Sequence, residues 1–150
     1  MKKQTKLKLL AISIGLIYVW FGALKFFPSL SPAETLATDT VDAMTFYLLP
    51  EGVGYFMLAV LEVAIGLGLM IGIKKRIFII AALVHMVCTF IPLFAFPESS
   101  FTEAPYGFTI VGQYIMKNIV IIVALLIILP PRKEKASTAM KASAKSLEKA

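Results

Sequence analysis

Glu62 stands in the middle of an otherwise apolar stretch, Gly54–Ile73, about ten residues from its nearer polar flank. A carboxylate in that setting is costly, by roughly 2.5–3.5 kcal/mol for a charged side chain at the centre of a membrane helix. It therefore marks either a functional site or an internal ion pair. Three other apolar stretches carry groups that could answer it. Tyr18, Gly22 and Lys25 fall at i, i+4 and i+7, on one helical face. His85, Cys88, Thr89 and Pro92 share a second face, at i, i+3, i+4 and i+7. Thr109, Gln113 and Lys117 form a third stripe, with Tyr114 and Asn118 beside it. These types can bind an anion or a carbonyl oxygen (Lys25, Lys117), relay a proton (Glu62, His85) and orient a ligand (Thr89, Gln113, Asn118). The simplest assembly is a buried network of Glu62 with Lys117, joined by His85, Gln113 and Asn118, with Lys25 either in the network or snorkelling to the headgroups. One carboxylate against two ammonium groups leaves an excess positive charge, suited to an anionic or carbonyl-bearing ligand such as a quinone head. The alternative is a structural polar core that holds helices in register, since interhelical polar contacts contribute about 0.6 kcal/mol each.

Smaller signals surround these residues. Gly66, one turn after Glu62, leaves room for a neighbouring helix, and Ala64, Gly68 and Gly72 form a separate small-residue stripe. Pro92 cannot donate to the carbonyl of Cys88, which predicts a free acceptor there. One histidine and one cysteine are too few for a metal centre, a C-x-x-C pair or an internal disulfide, so no metal is expected.

The elements that must position these groups are membrane spans. Of 150 residues, 59% are hydrophobic and 16% charged, far from the balance of a soluble domain. Four segments reach the length needed to cross the hydrocarbon: 7–27, 54–73, 77–96 and 109–129. Runs such as Ile119–Leu129 are apolar on every side, which excludes a soluble bundle, and no alternation of the barrel type is present. The fold class is all-α, an integral membrane four-helix bundle, with residues 1–130 as the membrane domain and 131–150 as a basic tail. The first segment begins like a signal peptide, but its apolar stretch is too long and no A-x-A-like site closes it, so it reads as an uncleaved span.

Charge gives the orientation. Lys2, Lys3, Lys6 and Lys8 flank the first span, Lys74, Lys75 and Arg76 fill the turn between the second and third, and six further basic residues follow the fourth. That places 13 of the 15 basic residues on one side. The two other loops contain no Lys or Arg but hold Glu34, Asp39, Asp42, Glu51, Glu98 and Glu103. By the positive-inside rule both termini are cytoplasmic and the acidic loops face outward. The net charge of +6 is then a topology signal and not a nucleic-acid patch. The first outer loop is expected to hold an amphipathic helix over about residues 32–47. It would start at a capping box of Ser31, Pro32 and Glu34, with Leu36, Val41, Met44, Tyr47 and Leu48 on its apolar face, and lie across the bundle mouth. The second outer loop, with two prolines and Gly107, is expected to be irregular.

The polar motifs, taken in order, resemble the DoxX-like family of small bacterial membrane proteins: Trp20-Phe21-Gly22-x-x-Lys25-Phe26, Glu62-x-x-x-Gly66-x-x-Leu69, His85-Met86-x-x-Thr89-Phe90-x-Pro92 and Gly112-Gln113-Tyr114-x-x-Lys117-Asn118. One motif falls on each span. The resemblance implies a multi-pass protein of the bacterial plasma membrane and an accessory subunit of a quinone-linked oxidoreductase or an oxidative-stress assembly. Cys88 alone cannot cycle through an internal disulfide, so electrons would need a bound quinone or a redox partner protein; a second copy of the chain is a further candidate partner. The competing readings are a non-enzymatic scaffold and a small-solute transporter.

Overall fold

The protein is described from a computed structural model covering residues 2–72 and 75–130. The basic tail, 131–150, lies outside the described residues. The chain is mostly helical. Helix α1 spans Lys3–Leu24, α2 Glu34–Met44, α3 Val53–Ile71 and α4 Lys75–Cys88. Two single turns follow, α5 at Pro92–Ala95 and α6 at Pro97–Ser100. A short hairpin, β1 Phe101–Glu103 and β2 Gly107–Phe108, leads into α7, Ile110–Ile128. Four segments are long and apolar enough to cross a membrane: α1, α3, Arg76–Ala95 and α7.

Each boundary has a local cause. Helix α1 starts earlier than expected because its lysines are good helix formers, and it stops at Lys25, whose amide bonds to Gly22. Helix α3 is bracketed by two glycines with left-handed φ, Gly52 at +76° and Gly72 at +78°. The third segment is not one helix: Pro92 breaks it, and residues 89–91 make a tightened turn. In that turn the Ile91 amide takes the Cys88 carbonyl at 3.1 Å, so the expected free acceptor is occupied. The second acidic loop is more regular than expected, with α6 and a short hairpin. Phe101 pairs with Phe108 across the hairpin, with ring centroids 4.9 Å apart. Fully buried Ser100 donates to Pro92 O at 3.1 Å and accepts from the Thr109 amide.

Thr109 caps α7, accepting from the Gly112 amide at 3.1 Å and donating to Ser99 O at 2.8 Å. Thr109→Ala is expected to lower stability by about 1 kcal/mol, with the first turn of α7 showing the largest rise in amide exchange.

The amphipathic helix is present but shorter than expected. No Ser31 cap forms: Ala33, left-handed at φ 56°, precedes the first residue, and the Glu34 carboxylate reaches back to accept from the Ser29 amide at 2.9 Å. The helix stops at Met44 because Phe46 and Tyr47 turn left-handed, and Tyr47 and Leu48 project outward instead of joining the apolar face.

Helices α1, α3, α4 and α7 form a ring in that order, with α1 and α3 making the most extensive contact. Glycines let these two approach. A Cβ on Gly66 would lie 2.6 Å from the Gly15 carbonyl oxygen, and one on Gly22 would lie 2.9 Å from the Glu62 Cβ. The other small residues do not form the expected stripe: Gly68 packs on Phe78, while Ala64 and Gly72 face outward.

The bundle is solid at one end and hollow at the other. The packed core joins Ala11, Ile14, Leu69, Ile79, Leu125 and Ile128 at the end where Arg76 donates to Pro130 O at 2.8 Å. Toward the loop end the helices enclose a cavity of about 540 Å³, roofed by Leu36, Thr40 and Met44 of α2.

Candidate functional site

Glu62 sits on α3 where the solid half meets the hollow one, 7% exposed. Its Oε2 accepts from Lys25 Nζ at 2.7 Å, and its Oε1 lies 3.2 Å from His85 Nε2. Lys25 reaches this point from the end of α1 because Gly22, one turn earlier, lets α1 lie directly against the Glu62 stem. His85 comes from α4. Its second nitrogen, Nδ1, is 3.1 Å from the Tyr18 hydroxyl, which is also 3.0 Å from the Ala82 carbonyl. A continuous polar chain, Lys25–Glu62–His85–Tyr18, therefore ties together α1, α3 and α4.

The chain has two proton arrangements with the same heavy atoms. If Tyr18 donates to His85 Nδ1, the imidazole is neutral and gives its Nε2 proton to Glu62. If Tyr18 donates to Ala82 O, its oxygen can instead accept from a proton on His85 Nδ1. Lys25 and Glu62 cancel in charge.

Lys25, Glu62, His85, Thr89, Lys117 and Asn118 all line the cavity, as do Cys88 and Pro92. The face expected from the third segment is therefore real. Thr89 donates to Met86 O at 2.6 Å and accepts from Asn118 Nδ2 at 2.9 Å, joining α4 to α7.

Two expectations are corrected. Lys117 is not the partner of Glu62. Helices α3 and α7 stand diagonally in the ring, so Lys117 is across the cavity; it is exposed, with Nζ 5.2 Å from the Tyr114 ring centroid. Among the described residues no carboxylate pairs with it. Gln113 is exposed and does not line the cavity. It lies in the first turn of α7, where the helix end leaves its amide accessible. Tyr18 is the residue whose role sequence reasoning missed; its place on the same face as Gly22 and Lys25, seven residues before Lys25, was the available signal.

Among the described residues no three His, Cys, Asp or Glu side chains gather as they would around a metal ion. The cavity instead combines apolar walls, one compensated ion pair and one uncompensated lysine. Such a site can hold a mostly apolar ligand with an oxygen-rich head and exchange a proton with it. Comparison with known protein families, curated proteins and solved structures finds no match for the chain.

Proposed function

We propose that the chain is a multi-pass protein of the bacterial plasma membrane, DoxX-like, that binds a quinone or a small anion in its hollow half. It would serve as a subunit of a redox or oxidative-stress-linked assembly. The observation that carries this reading is the Lys25–Glu62–His85–Tyr18 chain set into the wall of a cavity of about 540 Å³. Ionisable groups at membrane depth are rare because they are costly, and they gather where ligands or protons pass.

With both termini cytoplasmic, the basic ends of the helices lie inside and the cavity opens into the outer half of the membrane beneath α2. Lys117 and Lys25 then hold acceptor oxygens or negative charge. Glu62 and His85 relay a proton, with Tyr18 hydrogen-bonded to His85 Nδ1, and Asn118, fixed on Thr89, orients the ligand. The sole thiol, Cys88, supplies no disulfide, so electrons come from a bound quinone or a partner protein.

The sole thiol also supplies the test, because it lines the cavity. In vesicles, decylubiquinone or sulfate is expected to slow maleimide labelling of Cys88. Glu62→Gln should abolish that protection while helix content by circular dichroism is kept. One observation favours a structural scaffold instead: both Glu62 oxygens are already satisfied by protein donors. That reading expects no protection in the wild type and loss of assembly in the variant.

A further inference from the structure

We propose that the cavity opens sideways between α1 and α7, and that besides the ligands named above it admits an anionic single-chain amphipath, a long-chain fatty carboxylate, drawn from the lipid layer. The proposal rests on the cavity being a ligand site and adds the route and the chemical class.

The route follows from one seam. Near the basic end α1 and α7 seal against the core: Ala11 and Ile14 are 3% exposed, Leu125 0% and Ile128 4%. Toward the loop end the same seam parts. Ile17 is 41% exposed, Phe21 44% and Tyr114 55%, and all three also line the cavity. A side chain that is both cavity wall and outer surface marks an opening. The roof is tight at Leu36 and Thr40, 9% and 7% exposed, and open at its end, where Met44 is 44% exposed, but Ile17, Phe21 and Tyr114 lie on α1 and α7, below the roof. Ile17, Phe21 and Tyr114 belong to helices apolar and long enough to cross a membrane, so the opening faces acyl chains and not water.

The class follows from charge. Glu62 neutralises Lys25 at 2.7 Å. Lys117, on the α7 side of the opening, has only the Tyr114 ring at 5.2 Å. The uncompensated charge of the cavity is therefore positive and stands at its threshold. A carboxylate head would neutralise it beside the Asn118 amide. The apolar walls take the first part of the chain, and the remainder stays in lipid through the gap.

The test uses tryptophan quenching by bromine. Trp20, the sole tryptophan, is 63% exposed; the double substitution Trp20→Phe, Phe21→Trp moves the reporter to the opening. The full chain is reconstituted in phosphatidylcholine vesicles and titrated with 9,10-dibromostearate. The expected result is saturable quenching, reversed by excess oleate and weakened about tenfold by Lys117→Met, an exposed position at which folding is retained. Quenching that grows without saturation and ignores oleate would overturn the lateral opening. Saturable quenching indifferent to Lys117→Met would overturn the anionic class. Protection of Cys88 by decylubiquinone or sulfate, in a protein that does not bind dibromostearate, would overturn this proposal and leave the cavity reading intact. Absence of Cys88 protection by decylubiquinone and sulfate, together with non-saturable quenching by dibromostearate, would overturn both.

Discussion

Glu62→Leu is expected to destabilise the bundle by about 3–5 kcal/mol, the cost of breaking a buried ion pair from one side. The pair is 9–10% exposed at its side chains, so water cannot replace the lost carboxylate. The substitution strands the Lys25 ammonium, and it removes the acceptor facing His85 Nε2 at 3.2 Å. Adding Lys25→Met in the same chain is expected to restore most of the loss, because a pair replaced by apolar side chains is often neutral or stabilising. Denaturant unfolding in detergent micelles measures all four corners of the cycle. A coupling under about 0.5 kcal/mol would mean that the two side chains act independently and that no ion pair exists.

Gly66→Leu is expected to have the second largest effect. The new Cβ would lie 2.6 Å from Gly15 O and 2.7 Å from Val19 N, both backbone atoms that no rotamer change can move aside. Helix α1 must therefore back away from α3. Overpacking of this kind costs about 1–3 kcal/mol, and here it also carries Tyr18 and Lys25 away from His85 and Glu62. Thermal unfolding should drop, and ligand protection of Cys88 should vanish with it. Ala64→Leu is the control: the same helix, two residues away and exposed, with an expected change within about 0.5 kcal/mol. Equal effects at both positions would show that the α1–α3 contact is not the tight one.

These two experiments probe the contact that sequence reasoning read least well. The four apolar segments and the faces they carry were legible because helical periodicity alone decides which residues look the same way. Tyr18 with Lys25, Glu62 with Gly66, and His85 with Thr89 all fall where their spacing puts them. The partner of Glu62 was not legible. Depth counting leaves Lys25 and Lys117 both within reach, and only the order of helices around the ring makes one adjacent and the other diagonal. That order depends on Gly15, Gly22 and Gly66 letting α1 and α3 meet, a tertiary fact that no single helix encodes. Gln113 failed for a related reason: a polar side chain in the first turn needs no interior partner. The ends of α2 failed on backbone detail, since two consecutive left-handed aromatic residues, Phe46 and Tyr47, terminate it where the apolar pattern would continue.

The seam between α1 and α7 is sealed at one end only, and that asymmetry makes it a lever. From Ile14, where that seam is closed, to Lys25 the helix runs eleven residues, about 16 Å at 1.5 Å per residue. A tilt of about 5° pivoting there shifts the far tip by about 1.4 Å by the same helix geometry. None of the contacts at Ala11, Leu125 or Ile128 need break to allow it. Beyond that pivot, however, α1 is clasped by Tyr18 on His85 at 3.1 Å and by Lys25 on Glu62 at 2.7 Å, so widening the lip means first undoing that clasp.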